Sequence, residues 1–154
     1  MLDCDPNAAP APGADPVLPC AALAPDERRL LRLLRLSLSD WEGRRAAWDE
    51  TWETLGETRG AALLGAFEAW LEALAEGARR GLWRHRPESG WVGRDEALLT
   101  GLVSAAGRGD AETARALAEE VVTPAAALAL LQHARALGLA LQDAEAPDAA
   151  PTLH

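Results

Sequence analysis

Apolar residues recur every three or four positions over most of the chain between residues 25 and 141, which is the spacing of one face of an α-helix. A first helix is predicted to begin at Pro25, because proline fits the first turn, and a second at a Ser39 cap with Glu42 three residues later. The second helix carries a stripe of Trp41, Trp48, Trp52 and Leu55. We therefore expect it to turn one aromatic face towards the core.

Four further helices are predicted downstream. The third covers about 58–80, and Gly56 is a weak stop at which it bends away from the second helix rather than separating from it. The others cover about 94–106, 111–121 and a segment from Pro124. Gly138 is expected to end or break the last of them. Alternation typical of strands is absent, so the pattern predicts an all-α, single-domain helical bundle of five or six helices with disordered termini and no sheet.

The two ends of the chain differ in composition from the middle. Residues 1–24 hold five of the ten prolines among alanine, aspartate and glycine, and residues 142–154 are similar. Neither stretch has apolar periodicity, so we expect a disordered arm at 1–24, a helical domain at 25–141 and a disordered acidic tail at 142–154. Cys4 and Cys20, both in the arm, are expected to be free thiols.

Composition narrows the function classes. The net charge is −9, all fifteen basic residues are arginines, and the chain contains neither lysine nor tyrosine. Concentrated positive charge is what binds phosphate backbones, so nucleic acid is not an expected partner. Chemistry that depends on a lysine, such as Schiff-base formation, is excluded. The strong bias towards alanine, leucine and arginine is typical of a GC-rich bacterial genome.

The sequence also bears on location. No run of 18 apolar residues occurs, so a transmembrane segment is not expected. The N-terminal residues are acidic and rich in proline, whereas a signal peptide has a basic and then an apolar stretch. We therefore expect a cytoplasmic protein.

Catalytic and metal-binding patterns are missing from the sequence. The histidines, His85, His133 and His154, have no spacing that would form a helix-borne metal site with each other or with cysteines and carboxylates. Glycine-rich nucleotide-binding motifs and nucleophile motifs are absent too. We expect no metal, no cofactor and no catalytic residue, and hence a protein that is not an enzyme.

Six of the seven aromatic residues are tryptophans, and they fall into two groups. Trp41, Trp48, Trp52 and Trp70 lie on helical stripes and are predicted to be core residues. Trp83 and Trp91 lie in the longest predicted loop, on no helical stripe. These two are candidates for contact with a ligand or a partner.

The same loop concentrates positive charge in an otherwise acidic chain. The candidate anion- or partner-binding residues are Arg79, Arg80, Trp83, Arg84, His85, Arg86, Trp91 and Arg94. Arginine forks suit carboxylate or phosphate groups, and the helix that follows adds a partial positive charge at its N-terminus. The alternative is that these arginines pair with nearby acidic residues such as Glu88, Asp95 and Glu96 and only hold the loop in place.

The first helix suggests a second kind of contact. Residues 26–38 carry a wide apolar arc of leucines beside a row of arginines. We expect an ordinary bundle helix that is buried on two sides, one of which is available to a second copy of the chain. Attraction of its arginines to an anionic membrane or an acidic partner is an alternative.

Taken together, these patterns favour a cytoplasmic bacterial adaptor or regulatory protein that acts through protein–protein interaction. The alternative is a helical sensor that binds a small molecule or an anion through the loop at 79–94. A ligand-binding module needs a concave pocket of at least ~300 Å³, whereas an adaptor needs an exposed apolar patch.

Overall fold

The computed structural model describes residues 2–3 and 12–146, and within them the chain is a bundle of α-helices, as the periodicity predicts. The helices are α1 (Pro25–Ser37), α2 (Trp41–Gly77), α3 (Arg94–Arg108), α4 (Ala111–Val121) and α5 (Pro124–Glu145). Helix α5 packs against each of the other four helices. Its leucines at positions 130 and 137 are fully buried, so one face of α5 contributes to the core.

Helix α2 is bent, and the bend shapes one side of the molecule. Gly56 has φ 80°, a left-handed conformation that side-chain-bearing residues rarely adopt, and it divides α2 into a first arm (41–55) and a second arm (57–77). A Cβ atom on Gly60 would lie 3.6 Å from the Cα atom of Trp52, so the two arms touch next to the bend. The predicted bend at Gly56 is therefore confirmed.

The start of α2 differs from the prediction by one residue. Asp40, not Ser39, is the N-cap, and its Oδ1 accepts a hydrogen bond from the Gly43 backbone N–H at 2.6 Å. The Ser39 hydroxyl donates to the Leu36 carbonyl instead. Serine and aspartate are both favoured as N-cap residues, so the sequence alone does not show which of these two adjacent residues caps α2.

Gly138 does not end or break α5, contrary to the prediction. The helix continues through it, because this position is where α5 crosses α3. A Cβ atom on Gly138 would lie 2.7 Å from the Gly107 Cα atom and 2.6 Å from the Val103 carbonyl oxygen. The missing side chain thus allows two backbones to approach closely, which outweighs the low helix propensity of glycine.

We expect Gly138→Ala to lower the free energy of unfolding by ~1–3 kcal/mol, because the added methyl group overpacks the crossing. Gly65 is the control, since it is also helical but a Cβ atom added there would meet nothing within 4 Å. Gly65→Ala should raise stability by ~0.5–1 kcal/mol through helix propensity. Urea denaturation of both variants measures the difference. An equal effect of the two substitutions would contradict the close crossing.

Part of the predicted disordered arm is packed on the bundle. Residues 16–19 form strand β2, which pairs antiparallel with strand β4 (Trp91–Gly93). The Cys20 N–H donates to the Gly90 carbonyl at 2.8 Å, and Leu23 is buried. Prolines are compatible with such an edge strand, since it needs few donors of its own. The predicted disordered tail also begins too early, because residues 142–145 belong to α5 and Ala144 is buried. Residues 1, 4–11 and 147–154, where disorder was also predicted, lie outside the described part of the chain.

The expectation of no sheet is corrected by these short pairings. Besides β2 and β4, strand β1 (Leu2–Asp3) runs parallel to strand β3 (Trp83–Arg84). Both pairs join an N-terminal segment to the loop between α2 and α3. Strands β1 and β3 have only two residues each, and β2 and β4 contain proline or glycine, so periodicity could not reveal them.

The wide apolar arc of α1 is covered within the chain. The leucines of α1 are all buried; they are Leu30, Leu31, Leu33, Leu34 and Leu36. Most of them belong to the main core, whereas Leu31 packs with Leu23 and Val92 under the arm. The second buried side that the sequence predicts is therefore filled by the arm and β4. Self-association through this helix stays a prediction.

Among the described helices, α5 is long and apolar enough to cross a membrane by length and composition. It has 22 residues and a mean hydropathy of 1.2 over its most apolar stretch. Alanine-rich core helices share these properties, and here one face of α5 packs against the rest of the bundle. Length and composition alone therefore do not place it in a membrane.

Candidate functional site

A buried ion pair holds the loop at 79–94, which the sequence predicts as the candidate binding site. The Arg35 guanidinium donates from Nε and Nη2 to both carboxylate oxygens of Glu96, at 2.7 and 2.8 Å. The two side chains are only 2% and 0% exposed. Burial by itself lowers the pKa of Arg35, but its hydrogen bonds to Glu96 raise the pKa above its ordinary value. The Arg35 guanidinium is thus held charged inside the fold.

Arg35 also fixes the backbone of the loop. It donates to the Ser89 carbonyl at 2.9 Å and to the Trp91 carbonyl at 2.5 Å. On the other side of the pair, Glu96 accepts from the backbone N–H groups of Gly93 and His85 at 3.0 and 3.2 Å. Two side chains from α1 and α3 therefore hold both ends of the segment between them.

Arg80 forms the second ion pair of this region. Its guanidinium donates to the two carboxylate oxygens of Asp95 at 2.9 and 2.8 Å, and the hydrogen bonds with Asp95 raise the pKa of Arg80. Asp95 is fully buried and also accepts from the Trp83 backbone N–H at 2.8 Å. Arg80 is therefore already bound to a carboxylate of its own chain.

The remaining candidates of the loop are dispersed rather than gathered. Arg79 donates to the Glu119 carbonyl, and Arg84 is buried and donates to the Leu38 carbonyl. The ring of His85 is hydrogen-bonded to the Ala14 carbonyl at 2.9 Å. The other exposed side chains of the set are Arg86, Trp91 and Arg94. Because its arginines point to several different backbone and carboxylate groups, the loop has the contacts of a structural clamp.

The tryptophan stripe of the first arm faces outward, so the prediction that it is buried is wrong. Trp41 is 69% exposed, and Trp48 and Trp52 are each 39% exposed. The residues that the first arm buries are the smaller Ala47 and Thr51. Ala47 and Thr51 line the space between this arm and α1, whereas the tryptophans remain partly exposed. Trp70 on the second arm is fully buried, as predicted.

An apolar groove lies beside the outward tryptophans, where the two arms of α2 separate from each other. Its volume is about 580 Å³. The first arm contributes Arg44 and Trp48, the C-cap of α1 contributes Leu38, and the loop contributes Leu82. The second arm contributes Leu64, Phe67, Glu68, Leu71, Glu72, Leu74 and Ala75. We call this feature the α2 groove. The sequence did not reveal it, because its walls come from segments whose relative positions are not set by local patterns.

A second, smaller cavity of about 360 Å³ lies between α1 and the first arm. Its charged groups largely pair with each other: Arg32 donates to both carboxylate oxygens of Glu50 at 2.7 and 2.6 Å, and Arg29 pairs with Glu145 at 2.6 Å. The hydrogen bonds from Arg32 lower the pKa of Glu50. This internal pairing leaves the cavity less able to bind a charged ligand.

Within the described ranges, no group of three or more His, Cys, Asp or Glu side chains is placed to hold a metal ion. Comparison of the chain with models of known protein families, with curated proteins and with solved structures found no match.

Proposed function

We propose that this protein is a non-enzymatic adaptor or regulatory protein of the bacterial cytoplasm, and that its α2 groove binds an apolar segment of a partner protein. The observation that carries the proposal is the groove itself, which has leucine and phenylalanine walls and a partly exposed tryptophan at its side. Grooves of this kind accept the apolar face of a helix.

The exposed tryptophans support a protein partner. Trp48 and Trp52 stack on each other, with ring centroids 6.2 Å apart. Tryptophan is enriched among the residues that contribute most to protein–protein binding, and large exposed apolar patches mark interaction surfaces. Trp41 is mostly exposed and Trp48 and Trp52 are partly exposed, so the first arm presents aromatic surface that a partner can contact.

A photo-reactive amino acid at position 75 tests this proposal in the native host. Ala75 is exposed and lines the groove, whereas Ala62 is exposed on the same arm but does not line it. We expect irradiation to give a discrete protein adduct from position 75 and none from position 62. The adduct should be lost in Trp48→Ala and kept in Trp41→Ala, because only Trp48 lines the groove.

Equal adducts from both positions, or an adduct that survives Trp48→Ala, would contradict the proposal. Intact-mass spectrometry gives the partner's size, and peptide mapping gives the segment that was attached.

The small-molecule sensor is a second candidate, and one observation favours it. The groove volume of about 580 Å³ lies within the range of ligand pockets, and Arg80 of the candidate loop lines it. Under this alternative, native mass spectrometry of the purified protein would show a bound mass below ~1 kDa that Trp48→Ala removes. Position 75 would then give no protein adduct.

A further inference from the structure

We propose that the α2 groove selects a basic amphipathic helix, with its apolar side chains in the groove and its positive side chains along the second arm. This inference rests on the proposed function and adds the charge of the partner. Three observations support it: an acidic row on one wall, the compensation of the nearby arginine, and the net charge of the chain.

The second arm presents an unpaired acidic row at the groove. Glu68 and Glu72 line it, and Glu76 continues the same four-residue spacing along the helix. Residues three or four positions apart are neighbours on a helix surface, and no basic residue lies at those distances from Glu68 or Glu72. Neither glutamate forms an ion pair with any residue that the structure describes. Like charges so placed repel each other, and a partner with positive groups one turn apart would relieve the repulsion.

Two arginines also line the groove, but only one of them carries an uncompensated charge. Arg80 is bound through two hydrogen bonds to the buried carboxylate of Asp95. Arg44, on the first arm, forms no ion pair with a described residue. The lining therefore has two unpaired negative charges on one wall and one unpaired positive charge on the other.

The charge of the whole chain strengthens this preference. With a net charge of −9, the protein attracts cationic partners over long range and speeds their encounter with the groove. The same charge repels anionic lipid headgroups. A helix of a partner protein is thus favoured over a membrane surface.

Two synthetic helical peptides of about 16 residues test the inference, a length that gives roughly four helical turns. Both carry leucines at i, i+3, i+4 and i+7; one has lysines beside the leucine stripe, and the other has glutamates there. We expect the lysine peptide to bind at least about fivefold more tightly in fluorescence anisotropy, because each exposed ion pair contributes up to ~1 kcal/mol. Raising the salt concentration should reduce the difference.

Matched variants assign the preference to the groove. Glu68→Gln with Glu72→Gln should abolish most of the difference between the peptides. Glu57→Gln with Glu112→Gln removes the same charge from exposed positions outside the groove and should leave the difference nearly unchanged. Thermal melts followed by circular dichroism check that all variants are folded.

The outcomes separate the two proposals. If both peptides bind equally and Trp48→Ala weakens both, the charge preference is overturned while the groove stands as a protein-binding site. If neither peptide binds at about 100 μM, where even weak helix-in-groove complexes form, both proposals fail. Lysine-peptide binding that ignores Trp48→Ala, or tighter binding to vesicles with anionic lipid than to either peptide, overturns the inference as well.

Discussion

Replacing Arg35 with alanine is expected to lower the free energy of unfolding by ~3–5 kcal/mol, because it leaves the carboxylate of Glu96 buried without its counter-charge. The loss includes the hydrogen bonds that Arg35 donates to the Ser89 and Trp91 carbonyls. Chemical denaturation measures the change in stability. Hydrogen exchange should show that the backbone of residues 81–93 opens more readily, since these contacts hold that loop.

Arg32→Ala is the matched control for this substitution. Arg32 lies on the same helix and also makes a two-pronged contact with a glutamate, but both side chains of that pair are about half exposed. Exposed pairs contribute only ~0–1 kcal/mol, so this variant should remain close to the parent protein. If Arg35→Ala costs as little as Arg32→Ala, the Arg35–Glu96 pair is not the anchor of the loop.

Trp70→Ala should have an effect of similar size, ~3–5 kcal/mol, because a large cavity would open in the core. Trp70 is fully buried and packs near Phe67, with ring centroids 6.2 Å apart. Its indole N–H has no hydrogen-bond partner among the described residues. Trp70→Phe keeps much of the volume and removes this unpaired group, so it should cost clearly less than Trp70→Ala.

Trp41→Ala provides the comparison on the surface. Because Trp41 is mostly exposed, its truncation should change stability by only ~0.5 kcal/mol. Urea denaturation of the three tryptophan variants gives the ranking. A cost of several kcal/mol for Trp41→Ala, or a negligible one for Trp70→Ala, would mean that the buried and exposed faces of α2 are assigned wrongly.

The helices could be predicted from the sequence because their signals are local. Pro25 and Pro124 begin helices where expected, and the α4 boundaries agree with the predicted 111–121. Which face of the first arm is buried could not be predicted from local signals. A stripe of tryptophans predicts one buried apolar face, but the residues that the first arm buries are Ala47 and Thr51. Helical periodicity alone does not show which of two neighbouring faces is buried.

Only some contacts of the candidate site could be predicted from the sequence. Pairing of the loop arginines with Asp95 was foreseen as an alternative, and Arg80 makes that contact. The partner of Glu96 is Arg35, which lies 61 positions earlier, and no spacing rule connects residues so far apart. The α2 groove lies between both arms of α2, the C-cap of α1 and the loop. The bend at Gly56 was predicted, but periodicity does not give the positions of these segments relative to one another.

The pairing of β2 with β4 has a consequence for the order of events during synthesis. Cys20 and Ser89, which are hydrogen-bonded to each other, are 69 positions apart. At about 5–20 residues per second, the ribosome needs several seconds to extend the nascent chain from one to the other. During that interval Leu23 and Leu31 have no Val92 to cover them. The helices α1 and α2 can form early, whereas the N-terminal segment can pair with β4 only after the second half of the chain has been synthesised.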